Sequence, residues 1–200
     1  IMTNDRSPNP DVNIGCSINQ FKANADFTKA FMVIHYNSNV SNTKIVKKFD
    51  GTPANIALYA DGTSNGWSNV RSINSGQFGP LDMSMDGNIL LYAYGTELNI
   101  SRDAGNTFDN LASNTSSGIF TGVSGWNSLS ISSDSSVIVA VANNTNSPIY
   151  ISTDIGYTWT TINDSIVGNY NIDSISTSNS MILYRNVSDQ HPYYIILGEI

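Results

Sequence analysis

The stretch at residues 97–108, ELNISRDAGNTF, shares its pattern with the stretch at residues 148–159, PIYISTDIGYTW. Each begins with apolar and β-branched residues that favour a strand, and continues as Ser-x-Asp-x-Gly-x-Thr followed by an aromatic residue. The two aspartates, Asp103 and Asp154, are 51 positions apart. Because a strand is followed twice by the same turn, the chain is predicted to be built from repeated β units.

The repeat extends upstream of both copies. Residues 81–87 lead into the apolar run at 88–94, much as residues 129–134 lead into the run at 136–142. Two weaker copies flank them: residues 173–184 followed by a strand at 193–197, and a first copy near the start of the chain. In that first copy, residues 21–26 precede a predicted strand at 30–36. Residues 55–60 correspond to the third strand of the repeat, and residues 61–67 resemble a degenerate copy of its Asp turn. Four-stranded units with a period of about 40–50 residues are typical of propeller blades.

The apolar pattern excludes a helical protein. No window has a sustained helical stripe, and residues 137–141 are apolar on both strand faces, as expected of a sheet buried between two others. The predicted fold is all-β: a β-propeller of about four four-stranded antiparallel blades, either complete or a fragment of a larger propeller. We predict one domain over residues 1–200, with repeats at about 21–68, 69–110, 111–161 and 162–200. Residues 1–20 are an extension whose part at 11–20 is predicted to close the ring by pairing with 193–197.

The repeated turn resembles the Asp-box, or BNR repeat, of sialidase-like and sortilin-like propellers. Its aspartate can accept hydrogen bonds from the backbone N–H groups of its own turn, and its glycine can supply a positive φ. The resemblance implies a structural turn opposite the usual ligand face, with direct ligand contact as the alternative. The residues concerned are Ser101, Asp103, Gly105, Thr107, Phe108, Ser152, Asp154, Gly156, Thr158 and Trp159.

The ligand face of a propeller is formed by the other loops, which map to residues 69–80, 109–128, 161–172, 37–54, 95–96, 143–147 and 186–192. Recognition residues are expected among Arg71, Trp126, Tyr170, Arg185 and His191. Trp126 has two interpretations: an exposed ring that stacks on a sugar or anchors an interface, or a core residue between blades. His35 is expected to be a structural histidine and Cys16 a buried small apolar residue.

The residues needed for sialidase-like catalysis are scarce. The resemblance implies an arginine cluster, a Tyr–Glu pair and an acid/base aspartate, but the chain has only Arg6, Arg71, Arg102 and Arg185, and its glutamates are Glu97 and Glu199. No catalytic residue, metal ligand or cofactor is assigned, and a single cysteine permits no internal disulfide. A net charge of −7 argues against nucleic acid, and no apolar run approaches the roughly 18 residues of a membrane-spanning helix.

The leading functional hypothesis is a non-catalytic propeller module for recognition or scaffolding. Charged residues are only 12% of the chain, which suits contacts with a glycan or a protein, including assembly into a larger particle, in an extracellular, cell-surface or virion-associated setting. The alternative is a fragment of a sialidase-like glycoside hydrolase without its catalytic residues. The start Ile1-Met2 suggests a processed chain, a trimmed fragment or a residue left by cloning. N-glycosylation sequons, about as many as chance gives in such a composition, begin at Asn39, Asn99, Asn114, Asn143, Asn163 and Asn186.

Overall fold

Antiparallel β-sheets make up nearly all of the regular structure in a computed structural model of the chain. The model describes residues 15–38, 41–51, 66–73, 78–114, 118–144, 147–162, 170–175, 181–186 and 190–196. The chain divides into two compact units, Ile1–Gln77 and Phe78–Ile200. The all-β prediction is confirmed. A single domain over the whole chain stays a prediction.

Sheet 1 belongs to the first unit and contains β1 (Gly15–Ala23), β2 (Lys29–Ser38), β3 (Ser41–Asp50) and β4 (Trp67–Ile73), in that order. The prediction of a ligand-face loop at residues 37–54 is therefore wrong, because most of these residues belong to strand β3. Lysines interrupt the alternation of apolar residues in this segment, so the sequence pattern does not predict a strand there. Val46 and Phe49 are nevertheless buried in the sheet. The third strand and the turn residues expected at 55–65 lie outside the described residues.

The closing strand predicted at residues 11–20 also needs correction. Its described part, residues 15–20, pairs antiparallel with β2 within sheet 1, whereas residues 193–196 belong to another sheet. The turn at residues 24–29 joins β1 directly to β2. Closing so short a loop costs less entropy than a pairing across the length of the chain.

The second unit contains the other three sheets. Sheet 2 comprises β5 (Phe78–Met83), β6 (Leu90–Tyr94), β7 (Glu97–Ser101) and β8 (Asp109–Asn110). Sheet 3 comprises β9 (Trp126–Ile131), β10 (Ile138–Ala142), β11 (Ile149–Ser152) and β12 (Thr160–Ile162). Sheet 4, in its described part, comprises β13 (Tyr170–Ile175), β14 (Met181–Asn186) and β15 (Pro192–Ile196). A one-turn helix, α1 (Leu111–Asn114), follows β8, and its four residues are too few for a helical period to appear in the sequence.

Sheet 3 is covered on both faces. Ile138, Ala140 and Ala142 of β10 lie in one apolar cluster with residues of sheet 2 such as Leu91 and Ile100. Val137, Val139 and Val141 lie in a second cluster with Ile182, Tyr184 and Ile195 of sheet 4. Alternate residues of one strand therefore enter two cores, which confirms the two-sided burial predicted for residues 137–141.

Candidate recognition surface

The first Ser-x-Asp-x-Gly-x-Thr turn is held together by its own side chains. Asp103 Oδ1 accepts hydrogen bonds from the backbone N–H of Asn106 at 3.0 Å and of Thr107 at 2.8 Å, and Oδ2 accepts one from Thr107 Oγ1 at 2.7 Å. Ser101 Oγ donates to Asp103 Oδ1 at 2.7 Å and accepts from the N–H of Gly105 at 2.7 Å. The predicted carboxylate-to-backbone bonds are thus present.

The second turn repeats this arrangement. Asp154 accepts from the N–H of Thr158 at 2.8 Å and from its Oγ1 at 2.7 Å, and Ser152 Oγ accepts from the N–H of Gly156 at 2.8 Å. The positive φ predicted for the glycines is confirmed at 81° for Gly105 and 77° for Gly156. The preceding residues, Ala104 and Ile155, have positive φ as well, which the sequence pattern did not indicate.

The same hydrogen bonds fix the charge of both carboxylates. Bonds from the side chain and backbone of Thr107 lower the pKa of Asp103 from 3.8 to about 2. For Asp154, burial raises the pKa, but the bonds from Thr158 and Ser152 outweigh it, so that the net pKa is lowered. Carboxylates that hold their charge this firmly are poor proton donors at neutral pH.

A second repeated turn joins the first two strands of three sheets. Its three copies cover residues 24–29, 84–89 and 132–137. Each copy starts with Ser or Asn and has Asp at its third position, a residue with positive φ at its fourth, and Thr, Asn or Ser at its fifth. In each copy the aspartate accepts from the N–H two residues later, at 3.0–3.1 Å. The sequence repeat located these turns, but only the structure reveals their common hydrogen bonds. We call these turns of sheets 2 and 3, with the two Asp turns above, the turn end.

Arg102 joins the Asp turns of sheets 2 and 3. Its Nε donates to the carbonyl oxygen of Ile155 at 2.8 Å, and its Nη2 donates to that of Gly156 at 2.9 Å. Nη1 forms an ion pair with Asp109 at 2.8 Å, and the guanidinium lies 4.1 Å from the ring centroid of the exposed Tyr157. Sequence reasoning missed this link because Arg102 occupies a variable position of the turn.

The interpretation of Trp126 as an exposed stacking ring is wrong. The residue begins β9, is only 6% exposed and belongs to the core between sheets 2 and 3. Its ring packs edge-on against Phe120 at 5.2 Å and Tyr150 at 5.6 Å, and its Nε1 donates to the carbonyl oxygen of Thr96 at 3.1 Å. The core interpretation is therefore confirmed.

The loops around Trp126 form one fixed surface, which we call the loop end: residues 95–96, 118–125, 143–144 and 147–148. Asn144 Oδ1 accepts from both the N–H and the Oγ of Ser124 at 2.9 Å, and its Nδ2 donates to the carbonyl oxygen of Gly122 at 2.8 Å. The N–H of Asn143 donates to the carbonyl oxygen of Gly125 at 2.8 Å. The exposed residues are all uncharged: Gly95, Thr96, Gly118, Thr121, Gly122, Ser124 and Asn143.

Comparison with known proteins finds solved structures of similar architecture. No family model and no curated protein matches the chain. Among solved structures it is similar to the β-propeller domain of Cps50 (Swd1) from Myceliophteria thermophila, with a TM-score of 0.54, 10% identity and coverage of 91% of this chain and 54% of that one. It is also similar to Sqt1 from Chaetomium thermophilum, with a TM-score of 0.54, 15% identity and coverage of 90% of this chain and 44% of that one.

The fold is that of a β-propeller. The chain spans about half the length of these two propeller chains. At such identities the likeness establishes the fold alone. The propeller prediction is thereby confirmed, and the Asp-box family remains a proposal.

The other predicted ligand-face residues of this propeller lie in or beside sheets 1 and 4. Arg71 lies on β4 opposite Val46 in sheet 1, and Tyr170 begins β13, with its side chain outside the described part. Arg185 lies on β14 opposite Pro192, where its Nη1 donates to Gln190 Oε1 at 2.6 Å, and the exposed His191 precedes that proline. Within sheet 4, Tyr170 pairs with Asn186, the neighbour of Arg185, and His191 precedes the Pro192 that pairs with Arg185.

The remaining sequence candidates, His35 and Cys16, lie on strands of sheet 1. His35 is half-buried on β2 opposite Lys44, while the side chain of Cys16 lies outside the described part. Among the described residues, no group of three or more His, Cys, Asp or Glu side chains could hold a metal ion. In the same part of the chain, no helix is long and apolar enough to cross a membrane. Asn99 is buried within β7, whereas the sequon residue Asn143 is exposed at the loop end.

Proposed function

We propose that this propeller is a non-catalytic module with Asp-box turns that recognises another protein through its loop end. The observation that carries the proposal is the fixed, uncharged surface around Ser124, Asn143 and Asn144. A surface already held by its own hydrogen bonds loses little conformational entropy when it binds. Since it has no charge, complementary shape and hydrogen bonds rather than electrostatic steering would select the partner.

A protein partner is favoured over a glycan because Trp126 is buried. A sugar ring is commonly held by an exposed aromatic face, and this ring instead packs against Phe120 and Tyr150. The exposed loop-end residues are small, and most of them are polar. Such a surface suits a protein segment that contributes its own larger side chains.

The non-catalytic part of the proposal rests on how the aspartates and Arg102 are used. The carboxylates of Asp103 and Asp154 are engaged by their own turns. Arg102 donates to Ile155 and Gly156 at the turn end, opposite the loop end, so it is not available for a substrate carboxylate there. These contacts favour the recognition module over a fragment of a sialidase-like hydrolase.

The setting of the module belongs to the same proposal. A low-charge surface rich in Asn, Ser and Thr supports an extracellular, cell-surface or virion-associated scaffold. Immunogold labelling of intact cells or particles with an antibody against the folded chain tests this location. Labelling confined to the cytosol would contradict it.

Site-specific crosslinking tests the loop end directly. A photoreactive amino acid at Asn143 is expected to crosslink one defined protein, whereas the same group at the exposed Met85 of the turn end is not. Binding of that protein, once purified, is then measured for the Thr96→Arg and Asn143→Arg variants, with Met85→Arg as the matched control. These loop-end changes preserve the backbone hydrogen bonds and are expected to weaken affinity at least tenfold.

Two outcomes would overturn the proposal. Loss of affinity with Met85→Arg alone would move the binding surface to the turn end. Selective binding on a glycan array, combined with no protein crosslinked at Asn143, would replace the protein partner with a carbohydrate.

A further inference from the structure

The first strands of sheets 2 and 3, β5 and β9, lie against each other. At one end of this contact, a Cβ added to Gly79 of β5 would lie 2.9 Å from Ala93 Cβ and 3.3 Å from the carbonyl oxygen of Trp126. Nearer the turn end, Asp82 Oδ2 accepts a hydrogen bond from the backbone N–H of Ile131 at 2.8 Å. Two contacts of different kinds therefore join the same pair of strands.

Gly79 lets β5 approach residues on both sides of the loop end. Ala93 comes shortly before the sheet 2 loop at residues 95–96, and Trp126 directly follows the sheet 3 loop at residues 118–125. A methyl group at position 79 would have to displace one or both of them, because real Cβ atoms essentially never approach another atom within 3.0 Å. Glycine permits this close approach because it has no Cβ.

Asp82 is a buried carboxylic acid residue that the sequence repeat does not require. It is 7% exposed, and the matching position of β9 is occupied by Ser130. Burying so polar a group costs free energy unless hydrogen bonds compensate it. One of these bonds crosses to sheet 3 and satisfies the N–H of Ile131. The side chain of Asp82 therefore holds the first strand of one sheet to that of the next.

The position of sheet 3 against sheet 2 decides the geometry of the loop end, because the loops come from both sheets. Trp126 Nε1 donates across to the carbonyl oxygen of Thr96 at 3.1 Å, and a Cβ on Gly125 would lie 3.7 Å from the carbonyl oxygen of Gly95. A shift of β9 relative to β5 would therefore change the surface that Thr96 and Asn143 present together.

We propose that Asp82 and Gly79 are positioning residues for the loop end, because together they fix the spacing and register of β9 against β5. The proposal rests on the proposed recognition through the loop end, and it names residues that shape this surface without touching the partner. Asp82 acts through the N–H of Ile131, and Gly79 acts by leaving room for Ala93 and Trp126. Neither residue belongs to the loop end, so a substitution at either position would act on it through the neighbouring strands.

The NMR resonance of the Trp126 indole N–H tests this role in the whole chain, because that proton bonds across the two sheets. Asp82→Leu, which removes the acceptor, and Gly79→Ala are expected to shift this resonance and to accelerate its hydrogen exchange about tenfold. Asp82→Asn keeps an acceptor oxygen and is expected to retain the wild-type resonance. Gly156→Ala is the matched control. Its Cβ would lie 2.8 Å from Ile100 Cδ1 at the turn end, so it is expected to leave the indole resonance unchanged.

Binding gives the second measurement. Affinity for the protein that crosslinks at Asn143 is expected to fall about tenfold with Asp82→Leu and to be kept by Asp82→Asn. Melting temperatures are measured alongside, and if Asp82→Leu unfolds, Asp82→Ser, which copies Ser130 of β9, replaces it.

Three results would overturn the positioning role. The indole resonance could stay unmoved in the Asp82 and Gly79 variants, it could move equally in Gly156→Ala, or affinity could be unchanged in a variant whose resonance has moved. Crosslinking of the wild-type chain at Asn143 tests recognition by itself. Failure of the positioning role therefore leaves the proposed protein recognition standing.

Discussion

The turn end and the loop end of sheets 2 and 3 reach a fixed geometry by different means. At the turn end, Asp103 and Asp154 accept nearly identical sets of hydrogen bonds from their own turns. At the loop end, contacts that occur once hold the chain: Trp126 with Thr96, and Asn144 with Ser124 and Gly122. The repeated fold therefore keeps its sequence repetition in the turns that its aspartates stabilise, and varies at the loop end, where we propose that a partner binds.

The largest expected effect comes from removing the ring beneath the loop end. Trp126→Ala leaves a cavity beside Phe120 and Tyr150 and is expected to lower the free energy of unfolding by about 3–5 kcal/mol. Trp126→Phe keeps most of the ring and loses the bond to Thr96, so about 1 kcal/mol is expected. Urea denaturation measures both. A Trp126→Ala variant as stable as the wild type would mean that this ring does not anchor the loop end.

A pair of glycines compares the two ends directly. Both have positive φ, but a Cβ on Gly156 at the turn end would lie 2.8 Å from Ile100 Cδ1, whereas one on Gly122 at the loop end would meet nothing within 4 Å. Gly156→Ala is expected to cost about 2–4 kcal/mol, from backbone strain and overpacking together, and Gly122→Ala about 1 kcal/mol from strain alone. Thermal melts of the two variants measure the difference. Equal losses would indicate that close packing at Gly156 contributes nothing.

These contrasts explain what could be predicted from the sequence. The same local sequence pattern occurs twice, with the same spacing between its residues. The strands of sheets 2 and 3 and the hydrogen bonds of Asp103 and Asp154 could therefore be predicted. Strand β3 was missed because its lysines break the apolar period, although their stems can lie along buried neighbours such as Val46. The position of Trp126 could not be decided, since burial of a tryptophan after a loop depends on sheets that are distant in sequence.

The link between the Asp turns of sheets 2 and 3 gives a smaller effect. Arg102→Met keeps an unbranched side chain beside Tyr157 but removes the bonds to the carbonyl groups of Ile155 and Gly156. A loss of about 1–2 kcal/mol is expected, because the site is partly open to water. Hydrogen exchange at Tyr157 and Thr158 is expected to accelerate, while exchange at Ser124 is unchanged. Unchanged exchange throughout the second Asp turn would contradict a role for Arg102 in joining the sheets.

The smallest expected effect is the pH dependence contributed by Asp103. Its folded pKa, about 2, is below the ordinary 3.8, so its ionised form stabilises the fold above pH 3.8, and that contribution is lost as the pH falls through about 2. The effect is small because the turn is exposed and water screens the charge.

Thr107→Val tests this origin of the low pKa, because it removes the Oγ1 donor that lowers the pKa of Asp103 most. The carboxyl titration of Asp103, followed by carbon-13 NMR, should then move upward towards 3.8. Asn106→Ala removes only a side chain that bonds to the carbonyl oxygen of Asp103 and serves as the control. A titration of Asp103 that is the same in Thr107→Val as in the wild type would mean that the turn does not set its charge. The turn end would then differ from the loop end only in that its sequence pattern is repeated from sheet to sheet.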